Sequence, residues 1–293
     1  MVTVRAPATS ANLGSGFDVF GLALGRPADV VRVERAEETT IEVKGAGSQY
    51  VPEDPAENTA GVVARELDAP AHISIDKGVR PSSGLGSSAA SAAGAAVALN
   101  ECYDRGLTKR ELVRIAAEGE AAVSGEAHAD NVAPAILGGF TAVVDDEITQ
   151  VDATISLVAC LPETVVSTRD ARQVVPESVS RDDHVRTVGD AATLTAGMFR
   201  DDPELVGRGL RDGAVTASRT SLVDGFDEVR DAGLTAGATG VAISGAGPSI
   251  LAVCREDDRT AVAGAMLEAL ADAGVDARAY QTEMGRGATV ANR

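Results

Sequence analysis

Residues 81–90 form a loop of small residues that leads directly into an alanine-rich helical pattern. Gly84 and Gly86 lack a Cβ atom, so the backbone there can adopt a positive φ and approach a ligand closely. Ser87 and Ser88 are suited to cap the helix, whose first N–H groups have no partner within it. The positive end of the helix dipole favours a bound phosphate. The segment predicts an anion site, with an ordinary Gly/Ser turn as the alternative on this segment alone.

Two common nucleotide-binding loops do not fit this segment. A Walker A loop needs a lysine directly after its second glycine, and here the nearest lysine is Lys77, upstream of the loop. A dinucleotide-binding fold needs the spacing G-x-G-x-x-G followed by an acidic residue, which is also missing. The loop instead resembles the second motif of the GHMP small-molecule kinases, in which a proline precedes G-L-G-S-S-A-A. The family is named for galactokinase, homoserine kinase, mevalonate kinase and phosphomevalonate kinase.

Three further segments extend the resemblance along the chain. Residues 4–24 (VRAPATSANLGSGFDVFGLAL) resemble the first motif of the family, in the variant of its homoserine kinase branch. Residues 240–253 (GVAISGAGPSILAV) resemble the third motif, a glycine-rich turn between two apolar strands. Residues 120–135 (EAAVSGEAHADNVAPA) resemble a signature of the homoserine kinase branch. The chain is therefore identified as a member of the family.

The resemblance implies an α+β fold of two domains. Residues 1–150 would form an N-terminal domain like the second domain of ribosomal protein S5, and residues 151–293 a ferredoxin-like C-terminal domain. Hydrophobic alternation agrees, since it predicts strands over residues 29–36, 39–45 and 71–78. Helices are predicted over residues 58–67, 87–103, 183–199, 203–215, 224–232 and 257–273, with a capping box at Thr108 and Glu111.

The resemblance also implies the residues of an active site that uses ATP and Mg²⁺. The phosphate-binding residues would be Pro81, Ser82, Ser83, Gly84, Leu85, Gly86, Ser87, Ser88, Ala89 and Ala90. Ser88 and Glu120 would hold Mg²⁺, which prefers hard oxygen ligands. Asn12, Asp18, His128, Asn131, Arg172, Arg219 and Gly245 would contact the substrate. Asp18, Ser88, Glu120 and Asn131 would serve catalysis, and the acceptor of the substrate proton is left open between Asp18, Asp130 and the phosphoryl group itself.

The implied activity is phosphorylation of the side-chain hydroxyl of L-homoserine by ATP, for threonine biosynthesis, by a homodimer. Two alternatives stay open: a related kinase acting on mevalonate or shikimate, and a non-catalytic nucleotide-binding regulator on the same fold. The scattered Cys102, Cys160 and Cys254 are expected to be free thiols. No run of 18 apolar residues and no signal-peptide pattern occurs, so we expect a cytoplasmic protein that binds no membrane.

The chain is strongly acidic, with a formal net charge of −18 and only three lysines among 26 basic residues. At molar salt the screening length falls to roughly 3 Å, so surface carboxylates repel one another little while their hydration keeps the protein dissolved. A GC-rich genome would explain the lack of lysine but not the excess of acid. The charge therefore favours a halophilic protein, and together with an aromatic content of 3% it disfavours nucleic-acid binding.

We expect both activity and cooperative folding to require molar KCl or NaCl. The acidic clusters are Glu34, Glu37 and Glu38; Asp145, Asp146 and Glu147; and Asp201, Asp202 and Glu204. At about 0.1 M salt the screening length is roughly 10 Å, so carboxylates within a cluster repel one another and the folded state loses stability. Far-UV circular dichroism after transfer from about 3 M to 0.1 M KCl measures this loss. Full retention of the circular dichroism signal and of turnover at about 0.1 M KCl would show that the acidic composition is not an adaptation to high salt.

Overall fold

The computed structural model describes residues 1–125, 127–211 and 213–292. Seven strands form the first sheet: β1 (Val2–Ala11), β2 (Phe20–Arg35), β3 (Thr40–Gly45), β4 (Ala71–Lys77), β5 (Phe140–Val144), β6 (Glu147–Val151) and β11 (Thr289–Asn292). Their order is β11-β1-β2-β4-β3, and β5 pairs with both β2 and β6. The pair β3–β4 is parallel and the others are antiparallel.

Four helices cover the first sheet: α1 (Thr59–Glu66), α2 (Ser87–Cys102), α3 (Lys109–Ser124) and α4 (Ala129–Leu137). Helix α2 lies against β1 and β2 and is covered by α1, α3 and α4. This central position explains its many small residues: a Cβ added to Gly94 would lie 2.5 Å from the Val31 side chain. The predicted capping box is confirmed at the start of α3.

The second sheet has the strand order of a ferredoxin-like domain. Its strands are β7 (Ser156–Pro162), β8 (Ala238–Ile243), β9 (Ile250–Cys254) and β10 (Ala277–Glu283). They pair in the antiparallel order β10-β7-β9-β8, which is 4-1-3-2 in chain order. The helices of this half are α5 (Thr168–Gln173), α6 (Arg181–Arg200), α7 (Pro203–Gly209), α8 (Ala214–Arg219), α9 (Phe226–Thr235) and α10 (Arg259–Asp272).

The structure differs from the sequence prediction at several elements. The single helix predicted over residues 203–215 is wrong: α7 ends at Gly209 and α8 begins at Ala214. Gly207 packs against Thr239 so closely that a Cβ would lie 2.3 Å from its backbone. Helices α4 and α5 were not predicted, and α4 contains Pro134, which disfavours a helix in sequence. Glu126 of the fourth motif and Asp212 of the predicted helix lie outside the described residues.

The domain boundary at residue 150 stays a prediction. It falls at the end of β6, and the second sheet begins with β7. The last strand, β11, pairs with β1 in the first sheet. Cys102, Cys160 and Cys254 are free thiols, and burial raises the pKa of Cys160 to about 12. Within the described ranges, no helix is both long and apolar enough to cross a membrane.

A buried ion pair joins β2, β4 and the start of α2. The Lys77 ammonium contacts the Asp29 carboxylate, and both side chains are almost inaccessible to solvent. Lys77 also donates to the Ser87 carbonyl at 2.7 Å and to Ser91 Oγ at 2.9 Å. The second Asp29 oxygen accepts hydrogen bonds from the backbone N–H groups of residues 78 and 79, both at 3.0 Å. Burial lowers the pKa of Lys77, and the Asp29 carboxylate opposes that shift.

Replacing Asp29 by Asn should lower the free energy of unfolding by about 3–5 kcal/mol, because it leaves the Lys77 ammonium buried without a counter-charge. Urea unfolding in molar KCl measures the loss. The matched control is Glu204→Gln, which removes an exposed ion pair to Arg255 of 2.6 Å. That change should cost less than about 1 kcal/mol. Equal unfolding midpoints for the two variants would show that the buried pair contributes little.

Candidate active site

The N-terminus of α2 has no side-chain cap from the described residues. The N-cap residue is Gly86, in the left-handed conformation, and no described side chain caps the helix. The prediction that Ser87 and Ser88 cap α2 is therefore wrong. Ser87 Oγ donates to the Val79 carbonyl at 2.7 Å, and Ser88 Oγ donates to Glu120 Oε2 at 2.8 Å. The first N–H groups of α2 are thus left for a ligand in the adjoining cleft.

The two loop glycines are required by protein neighbours. A Cβ on Gly84 would lie 2.5 Å from the Ser244 carbonyl oxygen, and one on Gly86 would lie 1.9 Å from Thr9 Oγ1. Both residues also have positive φ. From sequence, glycine at these positions was expected to let a ligand approach the backbone closely. In the structure, the missing Cβ atoms let the first and third motifs pack directly against the loop.

Side-chain hydrogen bonds fasten the third motif to the other two. Ser244 Oγ donates to the Gly84 carbonyl at 2.7 Å, and Ser249 Oγ donates to the Ser83 carbonyl at 2.6 Å. Asn12 Nδ2 donates to the Gly245 carbonyl at 3.0 Å. Motifs separated by more than 150 residues in sequence thus form one wall of polar backbone groups.

A cleft of about 330 Å³ lies at this junction. It is lined by Asn12, Asp18, Ser88, Glu120, His128, Asn131, Arg172, Arg219 and Gly245, which are all of the predicted metal, substrate and catalytic residues. Most of the predicted phosphate loop also lines it. Leu85 and Ala90 do not: their side chains are buried in the core. Their assignment to the phosphate site stays a prediction, and such contacts would involve their backbone atoms.

Ser88 and Glu120 place a hydroxyl and a carboxylate side by side on neighbouring helices. Glu120 is 1% exposed. Burial raises the pKa of its carboxyl group, and the hydrogen bond from Ser88 opposes that shift. No cluster of three His, Cys, Asp or Glu side chains that could hold a metal ion occurs among the residues the structure describes. One hydroxyl and one carboxylate suit Mg²⁺, which in nucleotide sites takes its other ligands from phosphates and water.

Two arginines also line the cleft. Arg172 forms an ion pair with Asp18, with its two terminal nitrogens 3.0 and 3.3 Å from the carboxylate oxygens. Arg219 is only 6% exposed and donates to the carbonyl oxygens of Ala171, at 3.0 Å, and Gly245, at 3.2 Å. The Arg219 guanidinium also lies 4.9 Å from the centre of the Phe17 ring. These contacts fix both guanidinium groups next to the first and third motifs.

The first turn of α4 supplies the remaining polar groups. Asn131 Oδ1 accepts a hydrogen bond of 2.8 Å from Thr9 Oγ1, and its amide nitrogen lies 3.3 Å from Asp130 Oδ1. Burial raises the pKa of Asp130 to about 6, with His128 opposing the shift and Asp18 adding to it. Asp130 also lines the cleft. It is therefore a buried carboxyl group that titrates near neutral pH.

Sequence reasoning missed several residues that line the cleft. Lys77 lines the cleft, but the sequence analysis used it only to exclude a Walker A loop. Lysine is rare in this chain, with three in all, and this rarity could have marked Lys77 as a candidate functional residue. The cleft is also lined by Tyr50, Val51, Pro52, Glu57, Asn58, Thr59 and Val123. No motif marks that group, because the fold brings it together from separate elements.

Two protein families match the chain. The GHMP kinases N-terminal domain matches residues 55–139, and the GHMP kinases C-terminal domain matches residues 194–272. A homoserine kinase from Halorubrum lacusprofundi is 69% identical over 290 residues, which cover 99% of this chain and 99% of that protein. Such relatives come mostly from halophilic archaea, in agreement with the halophilic adaptation predicted from the charge.

Solved structures agree on the fold. The crystal structure of homoserine kinase from Cytophaga hutchinsonii has a TM-score of 0.90 and 33% sequence identity, covering 99% of this chain and 96% of that one. The structure of L. major mevalonate kinase in complex with R-mevalonate has a TM-score of 0.75 at 15% identity, covers 96% of this chain and 95% of that one, and shows a shared fold alone. The predicted two-domain α+β class is confirmed. The chain belongs to the homoserine kinases of the GHMP kinase family.

Proposed function

We propose that this chain transfers the γ-phosphoryl group of ATP to the side-chain hydroxyl of L-homoserine, releasing ADP and O-phospho-L-homoserine. The observation that carries the proposal is a cleft lined both by the uncapped start of α2 and by two arginines held by protein contacts. A phosphate donor and an anionic substrate can bind there side by side. The reaction belongs to threonine biosynthesis, as the relationship to homoserine kinases implies.

The N–H groups at the start of α2 would hold the phosphates of ATP, since they have no side-chain cap. Ser88 and Glu120 would hold Mg²⁺, because a hydroxyl and a buried carboxylate meet at 2.8 Å on the same side of the cleft. A bound divalent cation neutralises charge on the transferred phosphoryl group. Glu120 can ligate only as a carboxylate, and Lys77 nearby favours that charged form.

The substrate would bind between Asp18 and Arg172. Homoserine carries one carboxylate and one ammonium group, so it can replace each partner of their half-exposed ion pair with a charge of the same sign. Arg219 would provide a second guanidinium for the carboxylate. Asn12, His128, Asn131 and the Gly245 backbone would complete the polar lining.

We infer that Asp130 accepts the hydroxyl proton. In the substrate complex Asp18 would hold the ammonium group of homoserine, whereas Asp130 is buried and has a pKa of about 6. A base with a pKa near the working pH is the most effective, because it is ionised and still binds a proton. Direct transfer of the proton to the phosphoryl group is the competing path, and it fits a loose transition state.

Release of ADP with homoserine, mevalonate or shikimate as acceptor, in molar KCl, tests the proposed activity. We expect turnover with homoserine and at least a hundredfold lower kcat/KM with the other two, because neither presents an ammonium group to Asp18. Preference for mevalonate or shikimate would assign a related kinase activity. ATP binding without turnover of any of the three would assign a regulator. The intact Ser88 and Glu120 support the enzyme over the regulator.

Replacing Glu120 by Gln should lower kcat by about two orders of magnitude or more. The variant lacks the carboxylate that would hold Mg²⁺, so the transition state is less stabilised. The change should also raise the Mg²⁺ concentration needed for half-maximal rate. Steady-state kinetics against MgCl₂ measure both. The matched control is Glu118→Gln, an exposed position on the same helix, which should behave as the parent. Unchanged Mg²⁺ dependence in Glu120→Gln would remove Glu120 from the metal site.

The rate at low substrate should rise as pH increases through about 6, where Asp130 loses its proton. Asp130→Asn should abolish this rise and most of the turnover. The same substitution should lower activity but raise the free energy of unfolding. The folded-state pKa lies above the unfolded value, so the parent loses stability as pH rises from about 4 to about 6, and at pH 8 the Asn variant should be more stable than the parent by about 2–3 kcal/mol. This gain should disappear as pH falls towards 4.

His128→Gln is the control for the pH experiment, since the imidazole of His128 interacts electrostatically with Asp130. The rise through pH 6 should persist in that variant. A flat profile in the parent, or near-parental turnover in Asp130→Asn, would contradict Asp130 as the base. The acceptor of the hydroxyl proton would then be the phosphoryl group or Asp18. Homodimerisation and location in the cytoplasm stay predictions.

A further inference from the structure

The side chain of Arg80 joins the phosphate loop to the connection between β7 and α5 (residues 163–167). Arg80 directly precedes the loop, and its side chain is 19% exposed. Its Nη2 donates to the carbonyl oxygens of Pro162 and Thr164, both at 2.8 Å, and its Nη1 donates to Glu163 Oε2 at 2.7 Å. One guanidinium group thus holds three consecutive residues of the second half of the chain.

The backbone from which Arg80 projects is itself fixed. Val79, the preceding residue, donates its N–H to Asp29 Oδ1 at 3.0 Å, and its carbonyl accepts a hydrogen bond of 2.7 Å from Ser87 Oγ. Asp29 is one partner of the buried ion pair with Lys77. The guanidinium of Arg80 therefore reaches the second half from an anchored point beside the start of α2.

The connection held by Arg80 leads into residues of the cleft. Val166 in the connection, Thr168 at the start of α5 and Arg172 in its next turn all line the cleft. Helix α5 has six residues, of which Ala171 is buried. Because so short a helix has little buried surface of its own, its position depends on contacts near its two ends.

Binding of substrate would make these end contacts more important. In the free protein, the ion pair of Arg172 with Asp18 also attaches α5 to the first motif. Homoserine would replace each partner of that pair, so this direct attachment is lost when it binds. Arg219 still donates to the Ala171 carbonyl at 3.0 Å, near the C-terminal end of α5. Arg80 holds the chain that enters the N-terminal end.

We propose that Arg80 is a positioning residue, which fixes the place of α5, and with it Arg172, relative to the phosphate loop. The inference rests on the proposed function, because it needs homoserine to bind at Arg172. The planar fork of a guanidinium can bind a carboxylate and two carbonyl oxygens at once, as Arg80 does here. A shift of about 1 Å between two bound reactants is enough to slow their reaction strongly.

Steady-state kinetics of Arg80→Gln in molar KCl test the proposal. The homoserine KM should rise about tenfold, the change expected when charge-assisted hydrogen bonds that hold the binding residue are lost. The kcat should fall about tenfold or more, because the hydroxyl is less well aligned with the phosphoryl group. The ATP KM should stay near the parental value, because the start of α2 is anchored separately. A purely structural role would lower the urea midpoint and weaken both substrates alike.

The matched control is Arg278→Gln. Arg278 on β10 binds the other oxygen of the same carboxylate, Glu163 Oε1, at 2.6 Å, but its side chain is 56% exposed and does not approach the loop. This variant should keep the parental KM values and kcat. A parent that phosphorylates homoserine, together with parental kinetics in Arg80→Gln or equal rises of both its KM values, would overturn the proposal and leave the proposed function intact.

Hydrogen–deuterium exchange tests the attachment without turnover. In Arg80→Gln, the backbone amides of residues 165–173 should exchange at least about fivefold faster than in the parent, because α5 opens more often. Residues 87–102 of α2 should exchange as in the parent, and Arg278→Gln should match the parent in both segments. Equal exchange over residues 165–173 in parent and Arg80→Gln would overturn the proposal. If the parent does not phosphorylate homoserine, the proposed function is wrong, and exchange alone decides whether Arg80 holds α5.

Discussion

The buried ion pair between Asp29 and Lys77 is the constraint on which the cleft depends. It ties the end of β4 to β2 and, through the Ser87 carbonyl, to the first residue of α2. Lys77 donates to three acceptors and Asp29 accepts from the backbone behind the loop, so both buried charges are compensated. The ion pair therefore fixes where the loop between β4 and α2 begins and ends. The α2 N–H groups, Ser88 and Glu120 take their positions from that point.

The cleft is shared between the two halves of the chain. The loop and Glu120 come from the first half, whereas Arg172, Arg219 and the turn at Gly245 come from the second. Small residues make this possible, because Gly84 allows the third motif to touch the loop backbone directly. Relative motion of the two halves would separate Arg172 and Arg219 from the loop and from Asp18. The hydrogen bonds from Ser244 and Ser249 oppose such motion.

Local sequence signals were read correctly where a nearby residue decides the structure. The capping box at Thr108 and the alanine-rich helix after the loop are examples. The same reasoning failed where distant residues decide. The hydroxyl groups of Ser87 and Ser88 cap nothing, because Val79 and Glu120 offer them acceptors. The helix predicted over residues 203–215 ends at Gly209, and Gly207 and Gly209 within α7 pack closely against Thr239 and Leu194.

The sequence by itself determined the family, the phosphate loop and those polar residues of the cleft that lie in contiguous motifs. Only the tertiary structure decided how they interact. It paired Asp18 with Arg172, buried Asp130 so that the pKa of its carboxyl group rises to about 6, and placed Lys77 beneath the loop. The reason is physical: burial and the charge of neighbours set the protonation and orientation of a polar group, and both depend on residues far away in sequence.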